Sequence, residues 1–231
     1  MRQLVLLSAG LDSVVNLYQA RERGEVVLAL TLDYGQRSAR RETQRAGDLC
    51  AYLGLPHLTL DISWLGRWTD NAITGSRIPL PIHAAAEWWN GKVDFQATAD
   101  AVWVPNRNGV FISIGAAAAE AQGADTLVAG FNAEEAATFP DNSRDFVDAS
   151  NRALAYSTRD WVRLVSYTQE WDKGRIFQEG KRLDVTWKYL WSCYNDAELM
   201  CGECESCARL LRAADLAEAG DELAGLFVKK K

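Results

Sequence analysis

At 231 residues, with 48% hydrophobic and 24% charged residues, the chain can bury a substantial core and has an ordinary globular composition, which excludes disordered and fibrous classes. Its formal net charge of −6 disfavours non-specific binding to nucleic acid, which draws on surplus Lys and Arg to neutralise phosphates, so no direct nucleic-acid binding is expected. No stretch approaches the roughly 20 apolar residues of a membrane span, and the apolar run in "MRQLVLLSAGLDS" is too short for a signal peptide; the expectation is a cytoplasmic protein with no membrane partner.

"QLVLL" predicts a short buried strand, and "DSVVNLYQARERG" a helix that stops at Gly24. "EVVLALTLDYG" is a second buried strand, "SARRETQRAGDLCAYLGL" an amphipathic helix with Cys50 as a core residue, and "HLTLDIS" a third strand. This β-α-β-α-β order predicts an α/β fold, a doubly wound parallel sheet. From Trp64 to Trp103 the periodicity weakens around Gly75, Pro79 and Pro81, so residues 64–103 are expected to form a lid-like loop. Trp88 and Trp89 in that loop are candidates to stack on a flat heterocycle, although tryptophan is more often hydrophobic bulk. "NRNGVFISIGAAAAEAQGA" predicts a small-residue helix buried against the sheet, and "DTLVAGFN" a strand. "DNSRDFVDASNRALAYS" is a helix capped by Asp141, Asn142 or Ser143. "WVRLVSYT" is a strand, and "WDKGRIFQEGKRLD" a helix. The boundaries expected are an α/β core over 1–185 and a C-terminal cysteine segment over 186–231 packed on it.

Two stretches carry chemistry. In "LLSAGLDSVV" a strand enters a small-residue turn and then a helix, presenting backbone N–H groups and the positive helix end to an anion. The ATPase P-loop lysine is missing and Asp12 is present, which fits a grip on pyrophosphate through Ser8, Ser13 and backbone amides, with Asp12 near a magnesium ion. In "CYNDAELMCGECESC", Cys193, Cys201, Cys204 and Cys207 have the spacing C-x7-C-x2-C-x2-C. Clustered thiols in a reducing compartment argue for metal over disulfides, and four thiolates close a structural zinc site. An iron–sulfur cluster is the alternative at similar spacing.

"SAGLDS" resembles the PP-loop motif of ATP pyrophosphatases, with Ala9 in place of a glycine, a change expected to bear only on how closely the backbone approaches its ligand. With "LDYGQR", "VPNRN", "VAGFNAEE", "FPDNSRDF", "WDKGRI" and "TWKYLWSCYNDAELMCGECESC" in the same order, the chain resembles the 7-cyano-7-deazaguanine synthase family over most of residues 3–212. That resemblance implies a carbon–nitrogen ligase of the queuosine pathway that takes ATP with Mg2+, ammonia and 7-carboxy-7-deazaguanine, carries structural Zn2+, and forms a homodimer. It implies catalytic roles for Asp12, Ser13 and Lys173. Nucleotide or substrate contacts are implied for Ser8, Ala9, Gly10, Leu11, Asp33, Arg107, Asn108, Asn132 and Glu134, with Glu134 or Glu135 as acceptor for a guanine-like edge. Asn142, Asp196 and Ala197 depart from common family residues. The rival expectations are a PP-loop relative that amidates or thiolates a tRNA or protein, and a zinc-knuckle binding module with a degenerate nucleotide fold.

Overall fold

Apolar residues alternate through the short strands, and the alternation divides the molecule into two cores. In β1 (Arg2–Leu6), Leu4 faces one core and Val5 the other; in β4 (Thr126–Val128), Leu127 and Val128 do the same. A strand buried on both faces reads as a continuous apolar run, as parallel sheets require. The computed structural model describes all residues except 76, 84–86, 90–92 and 230–231, and leaves the side chains of Trp89 and Phe95 undescribed.

Five parallel strands lie in the order β3-β2-β1-β4-β5, with β2 at Glu25–Asp33, β3 at His57–Asp61 and β5 at Arg163–Val165. Helices α1 (Leu11–Arg23), α2 (Ala39–Leu53), α7 (Lys173–Arg182) and α8 (Glu205–Leu216) cover one face. Helices α4 (Arg107–Ala121) and α6 (Arg144–Ser157) cover the other. The doubly wound parallel sheet predicted from the alternating pattern is therefore present. Its direction reverses between β1 and β4, and in such sheets the crevice at the carboxyl ends of those strands is where ligands bind.

Local chemistry sets the helix ends. Ser143 caps α6, its hydroxyl accepting from Phe146 N at 3.2 Å, which settles the choice among three candidate caps. Asp172 caps α7 by accepting from Arg175 N at 2.7 Å. Gly115 lets α4 lie against the sheet, since a Cβ there would meet Leu127 Cδ1 at 2.8 Å. Asn106, at φ 53°, folds its side chain over Gly109, which accounts for those two residues of "VPNRNG". Cys50 is buried, and burial pushes its thiol up to about 11.

The stretch 64–103 contains more structure than its sequence suggests. Helix α3 (Phe95–Val102) opens on Asp94, whose carboxylate accepts from Gln96 N and Ala97 N, and Leu65, Ala72, Ile73, Leu80 and Val102 join the core beneath α4. The segment is stitched to the cysteine segment: Ile82 bridges Cys204, His83 N donates to Glu203 O at 3.2 Å, and Trp88 Nε1 donates to the same oxygen at 2.9 Å. Trp88 is fully buried with its ring edge-on to His83, so it is packing rather than a stacking platform. The side chain of Trp89 lies outside the described residues.

The C-terminal residues are continuous with the core. Cys193, Met200, Cys204, Cys207 and Leu210 share one apolar cluster with Val14, Leu17, Ile176 and Phe177. Gly174 lets α8 approach α7, since a Cβ there would meet Leu216 Cβ at 3.1 Å. Among the described residues, no helix is long and apolar enough to cross a membrane.

Candidate functional site

The loop between β1 and α1 is held by its serines. Ser13, in the first turn of α1, accepts from Ser8 N at 3.2 Å and donates to Gly10 O at 3.0 Å, so its hydroxyl ties the two sides of the turn together. Ser8 Oγ lies 3.2 Å from Ser13 Oγ and accepts from Gly10 N at 3.4 Å. The helix cap is Gly10, whose side-chain-free backbone leaves the first N–H groups of α1 without a side-chain acceptor. Such groups satisfy an anion.

Ala9 sits at φ 61° and is fully buried. The sequence expectation that alanine bears only on closeness of approach is corrected here, because the cost lies in the backbone dihedral. A left-handed L-residue costs about 1–2 kcal/mol. Burying the methyl returns about 0.8 kcal/mol, and the stiffer unfolded chain returns about 0.4–1 kcal/mol. These contributions offset part of the strain, and a glycine at this position would carry none of it.

From the other side, β4 presses on the loop. A Cβ on Gly130 would stand 2.8 Å from Ser13 N and 3.0 Å from Asp12 C. Asn16 fixes α1 against the segment that follows β5: its Nδ2 donates to Asp12 O at 2.9 Å and to Thr168 Oγ1 at 2.7 Å, and its Oδ1 accepts from Tyr167 N at 2.8 Å.

Lys173, 161 residues from Asp12 in sequence, reaches the loop and donates to Asp12 Oδ2 at 2.6 Å and to Glu135 Oε1 at 2.5 Å. Its side chain is only 9% exposed. Burial works against the ammonium, but Asp12 and Glu135 outweigh it and raise its pKa, so it stays charged. For Asp12 burial dominates and holds the carboxyl above its ordinary value despite Lys173. For Glu135 burial is outweighed by Lys173, which holds the carboxyl below its ordinary value. Asp12 Oδ1 is buried without a hydrogen-bond partner.

These groups face one cavity of about 280 Å³ at the sheet's reversal point. The structure brings Ser8, Gly10, Leu11, Asp12, Ser13, Arg107, Asn108 and Lys173 to its wall. It does not bring Ala9, Asp33, Asn132 or Glu134 there. Asp33 Oδ1 accepts from Gly35 N at 2.9 Å. Asn132 caps α5 (Ala133–Ala136), its Oδ1 accepting from Glu135 N at 2.8 Å, and so positions Glu135. Glu134 accepts from Arg209 Nη1 at 2.8 Å and Arg212 Nη1 at 3.3 Å, which ties α5 to α8.

Several wall residues escaped sequence reasoning. Glu42 accepts from Ser38 Oγ at 2.6 Å and Gln36 Nε2 at 2.9 Å, and burial lifts its pKa. Tyr34 receives Arg107 Nη1 at 3.4 Å and lies under its guanidinium. Trp103 and Phe139 lie parallel within 6° at 6.3 Å. Asn142, a departure from common family residues, is also on the wall. Tyr194, Glu205 and Arg209 come from the cysteine segment. The signal available for Glu205 was its place between two cysteines with an arginine four residues on.

The four cysteine sulfurs lie within 4.8 Å of one another, with Cys201 Sγ 3.9 Å from Cys207 Sγ. Tetrahedral Zn–S bonds of about 2.3 Å place sulfurs about 3.8 Å apart, so the donor set fits a single closed ion. A cluster of several irons holds its cysteines farther apart. Backbone N–H groups of Glu203 and Cys204 point to Cys201 Sγ at 3.4 and 3.3 Å, an arrangement suited to a thiolate.

Comparison with known proteins identifies the family. The family model described as "Queuosine biosynthesis protein QueC" matches residues 2–220. The chain is 44% identical to the 7-cyano-7-deazaguanine synthase of Bdellovibrio bacteriovorus over 97% of this chain and 96% of that protein. It is 48% identical to that of Pelotomaculum thermopropionicum over 94% and 98%, and 39% identical to that of Methanosarcina mazei over 92% and 93%. The U34-tRNA thiolase NcsA from Methanococcus maripaludis, 13% identical over 96% of this chain and 65% of that one with a TM-score of 0.49, is too distant to carry an argument. With a family model matched over almost the whole length and relatives aligned nearly end to end, the chain belongs to the QueC family of queuosine biosynthesis proteins.

Proposed function

We infer that the chain converts 7-carboxy-7-deazaguanine and ammonia to 7-cyano-7-deazaguanine at the expense of ATP, as a ligase forming a carbon–nitrogen bond. The observation that carries this reading is the meeting of Lys173 with Asp12 and Glu135 beside a lysine-free phosphate loop. A carboxylate resists ammonia because its charge repels a nucleophile and oxide is a poor leaving group. Its oxygen attacks the α-phosphate of ATP, the bond to the β-phosphate oxygen breaks, and pyrophosphate leaves. Ammonia then attacks the acyl carbon, AMP leaves, and the amide results. A second ATP takes the amide oxygen in the same way, and loss of AMP and a proton leaves the nitrile.

This chain contributes placement and charge. The Ser8–Ser13 turn and the N–H groups of α1 cradle the departing pyrophosphate, and the charged Lys173 offsets negative charge as the α–β bond breaks. Asp12 Oδ1, buried without a partner, supports Asp12 as the residue to hold the Mg2+ that travels with ATP; that ion adds charge neutralisation at the phosphates. Cys193, Cys201, Cys204 and Cys207 would hold Zn2+ with no open position, which gives it a structural role. The cytosolic setting and the homodimer implied by the family resemblance belong to the same proposal.

Incubation of the purified protein with magnesium, ATP, ammonium and 7-carboxy-7-deazaguanine is expected to yield the nitrile, AMP and pyrophosphate by mass spectrometry. Cleavage that halts at the amide would favour another final product, and no cleavage by metal-loaded, folded protein would favour the binding module. Gly130→Ala provides a sharper test of the loop. Its methyl meets backbone rather than a flexible side chain, so the first turn of α1 must move. ATP cleavage is expected to fall at least about tenfold, with roughly 1–3 kcal/mol of stability lost on denaturant titration.

A further inference from the structure

We propose that Glu205 is the residue that reads the guanine-like edge of the substrate, a role that rests on the proposed function and assigns its base specificity to the cysteine segment. Glu205 opens α8 one residue after Cys204 and is 3% exposed. Its Oε1 is fully engaged, accepting from Arg209 Nε at 3.1 Å and Nη2 at 2.8 Å. Its Oε2 is buried with no hydrogen-bond partner, and the residue stands on the cavity wall. A buried carboxylate oxygen left unsatisfied is costly, so its presence on a cavity wall points to a ligand donor.

Of the other carboxylates of the wall, Asp12 also keeps an unpartnered oxygen, Oδ1, but it stands in the phosphate loop on Lys173, and the rest are engaged. Asp12 and Glu135 hold Lys173, Glu42 holds Ser38 and Gln36, and Asp141 accepts from Asn142 Nδ2 at 3.3 Å. Glu134, an expected acceptor for the base, lies off the wall on Arg209 and Arg212.

Three further unsatisfied atoms stand on this wall: Asp12 Oδ1 at the phosphate loop, Arg107 Nε and Trp191 Nε1. Trp191 Nε1 is buried without an acceptor, and Trp191 N donates to Ala9 O at 2.9 Å, which places this residue beside the phosphate loop. With Asp12 Oδ1 turned to the phosphate loop, the free acceptor of Glu205 and the free donors of Arg107 and Trp191 complement an edge that presents a carbonyl oxygen beside N–H donors. The guanine-like edge has that pattern, with a ring N–H and an exocyclic NH2 adjacent to each other. Two neighbouring N–H groups can converge on one carboxylate oxygen and compensate its charge. The corresponding adenine edge offers N–H donors only from its amino group, so the match favours the deazaguanine over ATP.

The test is calorimetric binding of 7-carboxy-7-deazaguanine and of its 2-deamino analogue to metal-loaded wild type and to Glu205→Gln, with metal content and ATP affinity measured in parallel. Wild type is expected to prefer the 2-amino compound by about 10- to 100-fold, the range of a good paired contact to a base edge. E205Q, with an NH2 facing the donors, is expected to bind the 2-amino compound at least about tenfold more weakly and to lose the preference, while ATP affinity and metal content hold. Equal binding of both heterocycles by wild type overturns the proposal whether or not the variant folds. A preference retained in E205Q, or an effect confined to ATP or to the ammonium KM, overturns it and leaves the synthase reading intact. Wild type that binds neither heterocycle overturns both.

Discussion

Lys173→Met is expected to stop ATP cleavage and to steepen the rise in stability toward acid pH. In the folded protein the ammonium sits between Asp12 and Glu135, whose side chains are 14% and 27% exposed. Removing it deletes the cation nearest the phosphate loop and leaves two carboxylates facing the phosphates. Loss of one preorganised charge-stabilising group costs about 10²–10³ in rate, and the unmasked carboxylates add repulsion, so pyrophosphate release is expected to fall by at least that factor. Stability should fall as well, by up to about 3–5 kcal/mol at neutral pH for a broken buried pair, less whatever proton uptake recovers.

The pH dependence separates lost charge from lost packing. Burial already holds Asp12 above its ordinary value with Lys173 present, and without the lysine both carboxyls should titrate higher in the folded than in the unfolded chain. The folded variant then binds more protons, so its stability rises as pH falls from 7 toward the unfolded carboxylate values near 4. In the wild type Glu135 is held low by Lys173, so its contribution is present above the unfolded value and lost as pH falls through the folded one. Denaturant titrations at several pH values should show a steeper rise toward acid in the variant, where both carboxyls are raised, than in the wild type, where Asp12 alone is raised and the Glu135 contribution is lost below the unfolded value. Parallel slopes would mean that Lys173 acts as packing, not as the charge that the site depends on.

The parts that were legible in sequence are those whose signal is local. Short apolar runs ending in small-residue turns fix β1, β2 and β3, and the four-cysteine spacing fixes the sulfur cluster. Helix α3 was missed because its Asp94 cap and mixed composition sit in a stretch broken by Gly and Pro, where no period is long enough to register. The missed wall residues share one physical reason. Glu42 lies in "ARRETQR", a charge run that reads as a solvated face, yet the turn after β2 places Gln36 and Ser38 on its carboxylate and the fold sets it on the cavity wall. Glu134 and Glu135 are neighbours in sequence, yet the turn of α5 sends one to Arg209 and the other to Lys173. Which of two adjacent carboxylates faces a ligand is a long-range property that local pattern does not encode.

The same long-range packing makes metal removal more than a local event. Cys193, Cys204 and Cys207 are buried in one apolar cluster with Val14, Val15 and Ile176, so the sulfurs are part of the floor beneath α1 and α7. Trp191, two residues before Cys193, donates its backbone N–H to Ala9 O, and Arg209, two residues after Cys207, holds both Glu134 and Glu205. Structural zinc binding contributes about 10–16 kcal/mol of apparent free energy in small domains, comparable with or larger than the whole stability of a typical protein. Chelation, or Cys201→Ser, is therefore expected to lower the thermal midpoint by more than about 10 °C for a chain of this size and to abolish nitrile formation in the same samples. Metal analysis should give one zinc per chain before treatment, and added zinc should restore both properties to the chelated wild type. If chelated protein kept full ATP cleavage while losing only substrate turnover, the cysteine segment would serve the heterocycle side of the cavity alone. Loss of both together is the outcome that the shared core requires, because Ala9 and its phosphate loop rest on the same packed residues that hold the four sulfurs.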